Sequence, residues 1–167
     1  MVIKQKLGNI NELPLGKRLI DTLWIDWYES NKRIIHSKTT SGRPITLKFL
    51  NESPELKQGD ILWMEEAFAI VVELKTCEAI VLQPTSVLEA SFICYEIGNK
   101  HLPLFYEGEE LLVPFDAPVY KLLQASGYKM KVGQRKLTTA VKTSVAPHGV
   151  GGNTSLFNKI MQLTTSP

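Results

Sequence analysis

The chain has 167 residues, 44% of them hydrophobic and 22% charged, with a formal net charge of +2. That length holds one ordinary domain or two small ones, and the composition is that of a soluble globular protein. The near balance of charge does not demand nucleic acid or an acidic membrane as partner, and the longest apolar run, Ala67 to Val72, is too short to span a bilayer.

The opening stretch, MVIKQKLGNINELP, lacks the apolar core of a signal peptide, which predicts a cytoplasmic protein. Short segments rich in β-branched and aromatic residues follow, Thr22 to Tyr28 and Pro44 to Leu50. Ile45, Leu47 and Phe49 alternate with Thr46 and Lys48, so one strand face is apolar. Turn signals stand after Tyr28 (ESNKR), at Ser41 to Arg43 and at Gln58 to Asp60. ILWM and FAIVVEL read as further strands, and no window before Thr76 keeps a 3.6-residue period. Residues 1–76 therefore read as a small all-β domain, suited to binding a partner or peptide.

After Thr76 the pattern changes. Cys77 to Gln83 reads as a buried strand, stopped by Pro84, and Thr85 or Ser86 can cap a helix. In that helix Leu88, Phe92 and Tyr95 fall at i, i+4 and i+7, with Ala90, Ile93 and Ile97 beside them. Gly98 and Asn99 supply residues that tolerate a left-handed helix end. LPLFYEGEELLVPF reads as a hairpin, and Asp116 and Pro118 open a second helix that Gly127 closes. YKMKVGQRKL supplies a last strand. The order β-α-β-β-α-β over residues 77–137 is that of a ferredoxin-like unit, and the fold class is α+β. Residues 138–167 turn polar and glycine-rich and read as a flexible tail, ending in the weakly amphipathic SLFNKIMQL.

Enzyme motifs are absent: no GxSxG, no Walker loop and no GxGxxG. The chain reads as a non-enzyme. GVGG at Gly149 to Gly152 lacks the flanking strand and helix of a phosphate cradle. The acidic group Glu107, Glu109 and Glu110 reads as a solvated turn. Cys77 and Cys94 form no CxxC and read as small core hydrophobes, with a redox pair as the lesser reading. The three histidines are scattered: His36 in a strand, His101 just past a helix end, His148 in the tail. Each alone reads as a surface residue. A symmetric dimer changes that, because a residue near a two-fold axis meets its own copy. Leu102, Leu104 and Phe105, beside His101, offer an apolar patch for such a contact.

The run ICYEIGNKHLPL closely resembles the signature of the urease accessory protein UreE family, the nickel metallochaperones of urease assembly. That family shows a Gly-Asn-Arg/Lys-His run at this helix end. MVIKQKLGNI, WIDWYESNKRI and LKQGDIL resemble its amino-terminal part, so the resemblance covers nearly the whole chain. It implies a homodimer joined through the ferredoxin-like metal-binding unit, with His101 as the interfacial ligand and His148 as an additional tail ligand. It implies Ni2+ as the metal, with Zn2+ and Cu2+ as competitors for imidazole. The implied partners are a urease maturation GTPase as immediate recipient, other urease accessory proteins and the urease apoprotein complex, with no nucleic acid and no membrane. Many members end in a histidine-rich tail; this chain has no histidine after His148, so one shared site per dimer replaces high-capacity storage. Two other readings stand beside this one. The first is a protein-interaction adaptor whose metal is incidental. The second is an RNA-binding sheet, which the lack of an exposed aromatic pair on KMKVGQRKL argues against.

Overall fold

The computed structural model describes residues 1–50 and 53–141. It is α+β, with two helices and three sheets. The strands are β1 (Val2–Ile3), β2 (Gly8–Asn9), β3 (Leu19–Ile25), β4 (Ile34–Lys38), β5 (Pro44–Lys48), β6 (Asp60–Met64), β7 (Phe68–Leu74), β8 (Cys77–Leu82), β9 (Phe105–Glu107), β10 (Glu110–Pro114) and β11 (Met130–Arg135). The helices are α1 (Val87–Asn99) and α2 (Ala117–Ala125), and a single 3-10 turn spans Trp27–Glu29. None of the helices described is long and apolar enough to cross a membrane.

The first seven strands make two sheets, ordered β1-β5-β4 and β2-β6-β7-β3. Their inward residues meet in one core that includes Leu23, Ile25, Leu47, Leu62, Ile70 and Val72, all buried. Period-two alternation supplies this: Ile35, Ile45 and Leu47 point in while their neighbours face solvent. Asp21, buried in β3, ties the sheets together. It accepts from Thr39 Oγ1 (2.7 Å), Ser41 Oγ (2.6 Å) and Ser41 N (3.0 Å) in the β4–β5 turn, with Arg43 Nε at 3.5 Å. Burial alone would raise its carboxyl pKa, but these donors outweigh it and hold the group below the usual carboxylate range. At the other end Asp60 closes the turn before β6, accepting from Lys57 N (2.9 Å) and Asn9 Nδ2 (3.0 Å). Gly59 is required there. Its φ is +82°, and a Cβ would stand 2.8 Å from Ile10 Cγ1.

The third sheet is ordered β11-β8-β10-β9, with every neighbouring pair antiparallel. Both helices lie on one face of it. Ile93 and Ile97 of α1 and Val119 and Leu123 of α2 pack over Ile80, Leu82 and Val113. Ser86 caps α1, accepting from Glu89 N at 3.1 Å, and Asp116 caps α2, accepting from Val119 N at 3.0 Å. The opposite face buries Ala79, Val81, Phe105 and Leu112, and Trp27 of the 3-10 turn seats against it, edge-on to Phe105 at 5.6 Å. Lys136 bonds Glu73 of β7 at 2.8 Å and completes this contact between the first two sheets and the third.

At the acidic hairpin Glu107 and Glu109 are exposed, as a solvated turn requires, and only Glu110 is half-buried. Glu110 is held by Lys131 (3.0 Å), Arg135 (3.3 Å) and Gln83 (3.0 Å), and its carboxyl is shifted below its ordinary range chiefly by the Lys131 bond. Cys77 and Cys94 are free and half-buried, and burial pushes both thiols up, as fits core residues.

Candidate metal centre

His101 occupies the residue after the helix cap of α1. Its φ is +54°, in the left-handed region. The N–H of His101 donates to Gly98 O (2.9 Å) and the N–H of Leu102 to Ile97 O (3.2 Å). These two bonds are the Schellman closure, with the left-handed position filled by histidine where glycine is usual. The sequence expectation put that duty on Gly98 or Asn99, but both lie within the helix, and the chain turns two to three residues later. Leu102 then packs against the cluster containing Ile97, the apolar contact that accompanies this motif. The imidazole is thus exposed on a backbone fixed at both ends. A histidine in this region is uncommon, and backbone strain of this kind collects at functional positions.

The apolar stripe of α1 does not face the core. Leu88 is 66% exposed, Phe92 57% and Tyr95 69%. The buried face of the helix is Ile93 and Ile97. The helix therefore has two apolar faces, one covered by its own sheet and one open. At 100° per residue the open stripe continues to Asn99, two residues before His101. The expected patch beside His101 is a different matter. Leu104 and Phe105 are only 8% and 7% exposed and Leu102 is half-buried, because all three turn inward to the third sheet.

On its other side His101 lines a groove of about 450 Å3, together with Cys94, Gly98, Trp27, Tyr28 and Val141. Cys94 and Gly98 share one helical face by their four-residue spacing, which is the signal that could have placed Cys94 near His101 from sequence. The chain after β11 comes back to this place. Tyr106 N donates to Thr139 O (3.0 Å) and Val141 N donates to Leu104 O (2.8 Å), so residues 139–141 run antiparallel beside β9 and head toward His101. His148 lies outside the described residues. His36 is elsewhere, on the solvent face of β4, its Nδ1 3.1 Å from Thr46 Oγ1. Among the described residues no three His, Cys, Asp or Glu side chains converge as a metal site.

Comparison with known proteins decides the family. The UreE urease accessory protein N-terminal domain model matches residues 3–75. A urease accessory protein UreE from Flavobacterium johnsoniae is 42% identical over 163 residues, covering 98% of this chain and 99% of the relative. The chain belongs to the UreE urease accessory protein family. UreE of Actinobacillus pleuropneumoniae is 37% identical over 87% of this chain and 80% of its own length. UreE of Helicobacter pylori is 37% identical over 89% of each. These likenesses extend through α1 and the GNKH run, so His101 lies inside the shared region rather than in an appended segment.

Proposed function

We propose that the chain is a urease accessory metallochaperone that binds Ni2+ between two copies of itself and delivers it for urease active-site maturation. One observation carries this reading: His101 is held in a left-handed helix closure at the end of an uncovered apolar stripe on α1. Pairing two copies along that stripe covers Leu88, Phe92 and Tyr95. With the two-fold axis beside the C-terminal ends of the paired helices, both His101 side chains come to one place. The negative end of the α1 dipole favours a cation there. The order β-α-β-β-α-β, with both helices on one face of the β11-β8-β10-β9 sheet, supports a ferredoxin-like unit over residues 77–137 as the dimerising part.

Imidazole nitrogen suits Ni2+, and it also suits Zn2+ and Cu2+, which compete. Two histidines leave coordination positions open, so a recipient's ligands enter before the chaperone's leave. His148 is the natural third ligand. It stands seven residues past Val141, and seven extended residues span up to about 23–25 Å, which suffices to return to the His101 end of the groove. The recipients in this reading are a urease maturation GTPase, the other urease accessory proteins and the urease apoprotein complex.

Calorimetric nickel titration with sedimentation in parallel tests the site. The wild type should bind one tight Ni2+ per two chains. His101→Ala should lose tight binding and stay dimeric, since one substitution removes two ligands. His148→Ala should weaken binding roughly tenfold, because a tail ligand also loses ordering entropy. Near-native affinity in folded His101→Ala would place the site elsewhere.

A further inference from the structure

Gly98 lines the groove beside His101, and nothing in the described fold calls for a glycine there. It stands inside α1, and its φ is not in the left-handed region. A Cβ placed on it meets no atom of the described residues within 4 Å. Glycine in a helix interior is less favourable than alanine. What it provides is a strip of helix backbone, open on the groove side, that another chain segment can approach closely. The groove, about 450 Å3, is lined from the first part of the chain by Trp27 and Tyr28 and from α1 by Cys94 as well as Gly98. Tyr28 and Val141, both lining it, are exposed. That volume suits a few apolar side chains.

The chain itself leads to this place. Residues 139–141 run beside β9, and Val141 is the last residue described. Residues 142–167 follow it and hold one dense apolar group, Leu156, Phe157, Ile160, Met161 and Leu163. Leu156, Ile160 and Leu163 fall at i, i+4 and i+7, the spacing of one helix face, with Phe157 beside them. Residues 142–155 include Pro147, Gly149, Gly151 and Gly152. A glycine-rich coil of that length has an end-to-end distance on the order of 20 Å, and the groove stands at its near end. The tether therefore sets the concentration of the apolar group at the groove on the order of 1 mM, so a weak contact suffices to hold it.

We propose that this chain's own segment 155–163 docks in the groove, its apolar face against Tyr28, Val141 and the open backbone at Gly98. A second copy of the chain matches the apolar lining but has no tether to this place. The docking involves no metal. One consequence rests on the nickel reading. His148 stands seven residues past Val141 and eight before Leu156. With both ends of that loop held at the groove, His148 is confined to the neighbourhood of His101, which lines the same groove. Docking then removes part of the ordering entropy that a tail ligand loses on binding.

The test reads Cys94, which lines the groove, against Cys77, which does not. Alkylation by iodoacetamide is followed by mass spectrometry on metal-free protein, so its result is separate from the nickel reading. The full chain is compared with a chain ending at Thr154, which keeps His148. The shortened chain should react several-fold faster at Cys94 and equally at Cys77. A synthetic peptide of residues 154–164 should bind the shortened chain, restore the protection and shift the amide signals of Tyr28, Gly98 and Val141. The same peptide with Leu156→Ser, Phe157→Ser and Ile160→Ser should do none of these. Gly98→Gln projects a polar side chain into the groove and favours the helix. It should weaken peptide binding roughly tenfold with helix content intact. Nickel affinity of the shortened chain should fall several-fold. Equal alkylation of the two chains, absence of peptide binding, or unaffected binding in Gly98→Gln would overturn the docking. So would protection that survives shortening and is lost in Leu88→Glu with Phe92→Glu, which would assign the groove to the second copy. Unchanged nickel affinity in a shortened chain that has lost its Cys94 protection would overturn the link to His148.

Discussion

In the proposed function His101 combines two demands that normally conflict. The closure of α1 requires a left-handed residue, which glycine fills at lowest cost. A ligand requires a side chain. The φ of +54° shows that the chain accepts the backbone penalty at this position, on the order of 1–2 kcal/mol for a residue with a Cβ. His101→Gly should therefore raise stability by about 0.5–1 kcal/mol, seen as a higher urea midpoint, while nickel binding is lost. A lower midpoint would mean that the imidazole contributes to the fold. Asp21 is the opposite case, a buried charge whose role is structural. Its folded pKa lies below its unfolded value, so its contribution is complete above about pH 4 and is lost as pH falls through the folded value. Asp21→Asn should cost about 1–3 kcal/mol near neutrality, because two hydroxyl donors and an amide lose a charged acceptor. It should also flatten the acid side of the stability curve. Urea titrations at neutral pH and below pH 4 measure both effects; an unchanged acid limb would remove Asp21 from the account.

At the scale of elements, α1 holds the main discrepancy between pattern and structure. Its periodicity shows two apolar rows, and either could have faced the sheet. The row chosen is Ile93 and Ile97, and Leu88, Phe92 and Tyr95 are left to solvent. β-branched side chains with restricted rotamers fill the gap between helix and sheet well, while the larger aromatic pair remains for an external surface. Burying a Leu or Phe side chain contributes about 1.5–3 kcal/mol when it is complete. On the proposed pairing, Leu88→Glu with Phe92→Glu should therefore convert the micromolar dimer to monomer with helix content unchanged, as sedimentation and circular dichroism would show. Tight nickel binding should fall with the dimer. A dimer that survives both charges would mean that the copies meet through another face. The β strands contain less ambiguity, since alternation in Pro44 to Lys48 admits a single inward face once the core exists.

At the scale of the molecule, one aromatic contact joins the first two sheets to the third. Trp27 lies on a short 3-10 turn, yet it packs with Phe105, Leu112 and Leu137 across the chain. Lys136 adds an ion pair to Glu73 and stands 5.7 Å from the centre of the Trp24 ring. Trp27→Ala should cost roughly 2–4 kcal/mol, at or below the range for a fully buried tryptophan. Because it removes the shared contact rather than either core, calorimetric melting should separate into two transitions. A single transition at lowered temperature would show that the two parts remain one cooperative unit. The same contact shapes the groove beside His101, which Trp27 and Tyr28 line from the first part of the chain.

Much of this was legible from local chemistry. The strand at Cys77, the Ser86 and Asp116 caps, the hairpin at Gly108 and the order β-α-β-β-α-β all follow from signals within a few residues of each other. So did the resemblance carried by the GNKH run, since a short motif needs no tertiary context to be read. Local signals gave the element order after Thr76 and the histidine at the helix end, but they ran a strand on to Tyr28 where the chain ends it at Ile25 and makes a 3-10 turn at Trp27–Glu29. Long-range packing chose which face of α1 is covered, turned Leu104 and Phe105 inward and left the left-handed closure to His101 rather than Gly98. It also returned residues 139–141 to the edge of β9 beside that histidine. The reason is physical. Periodicity counts apolar faces but does not say which one finds a partner, and that choice depends on shape and contacts from residues far apart in the chain.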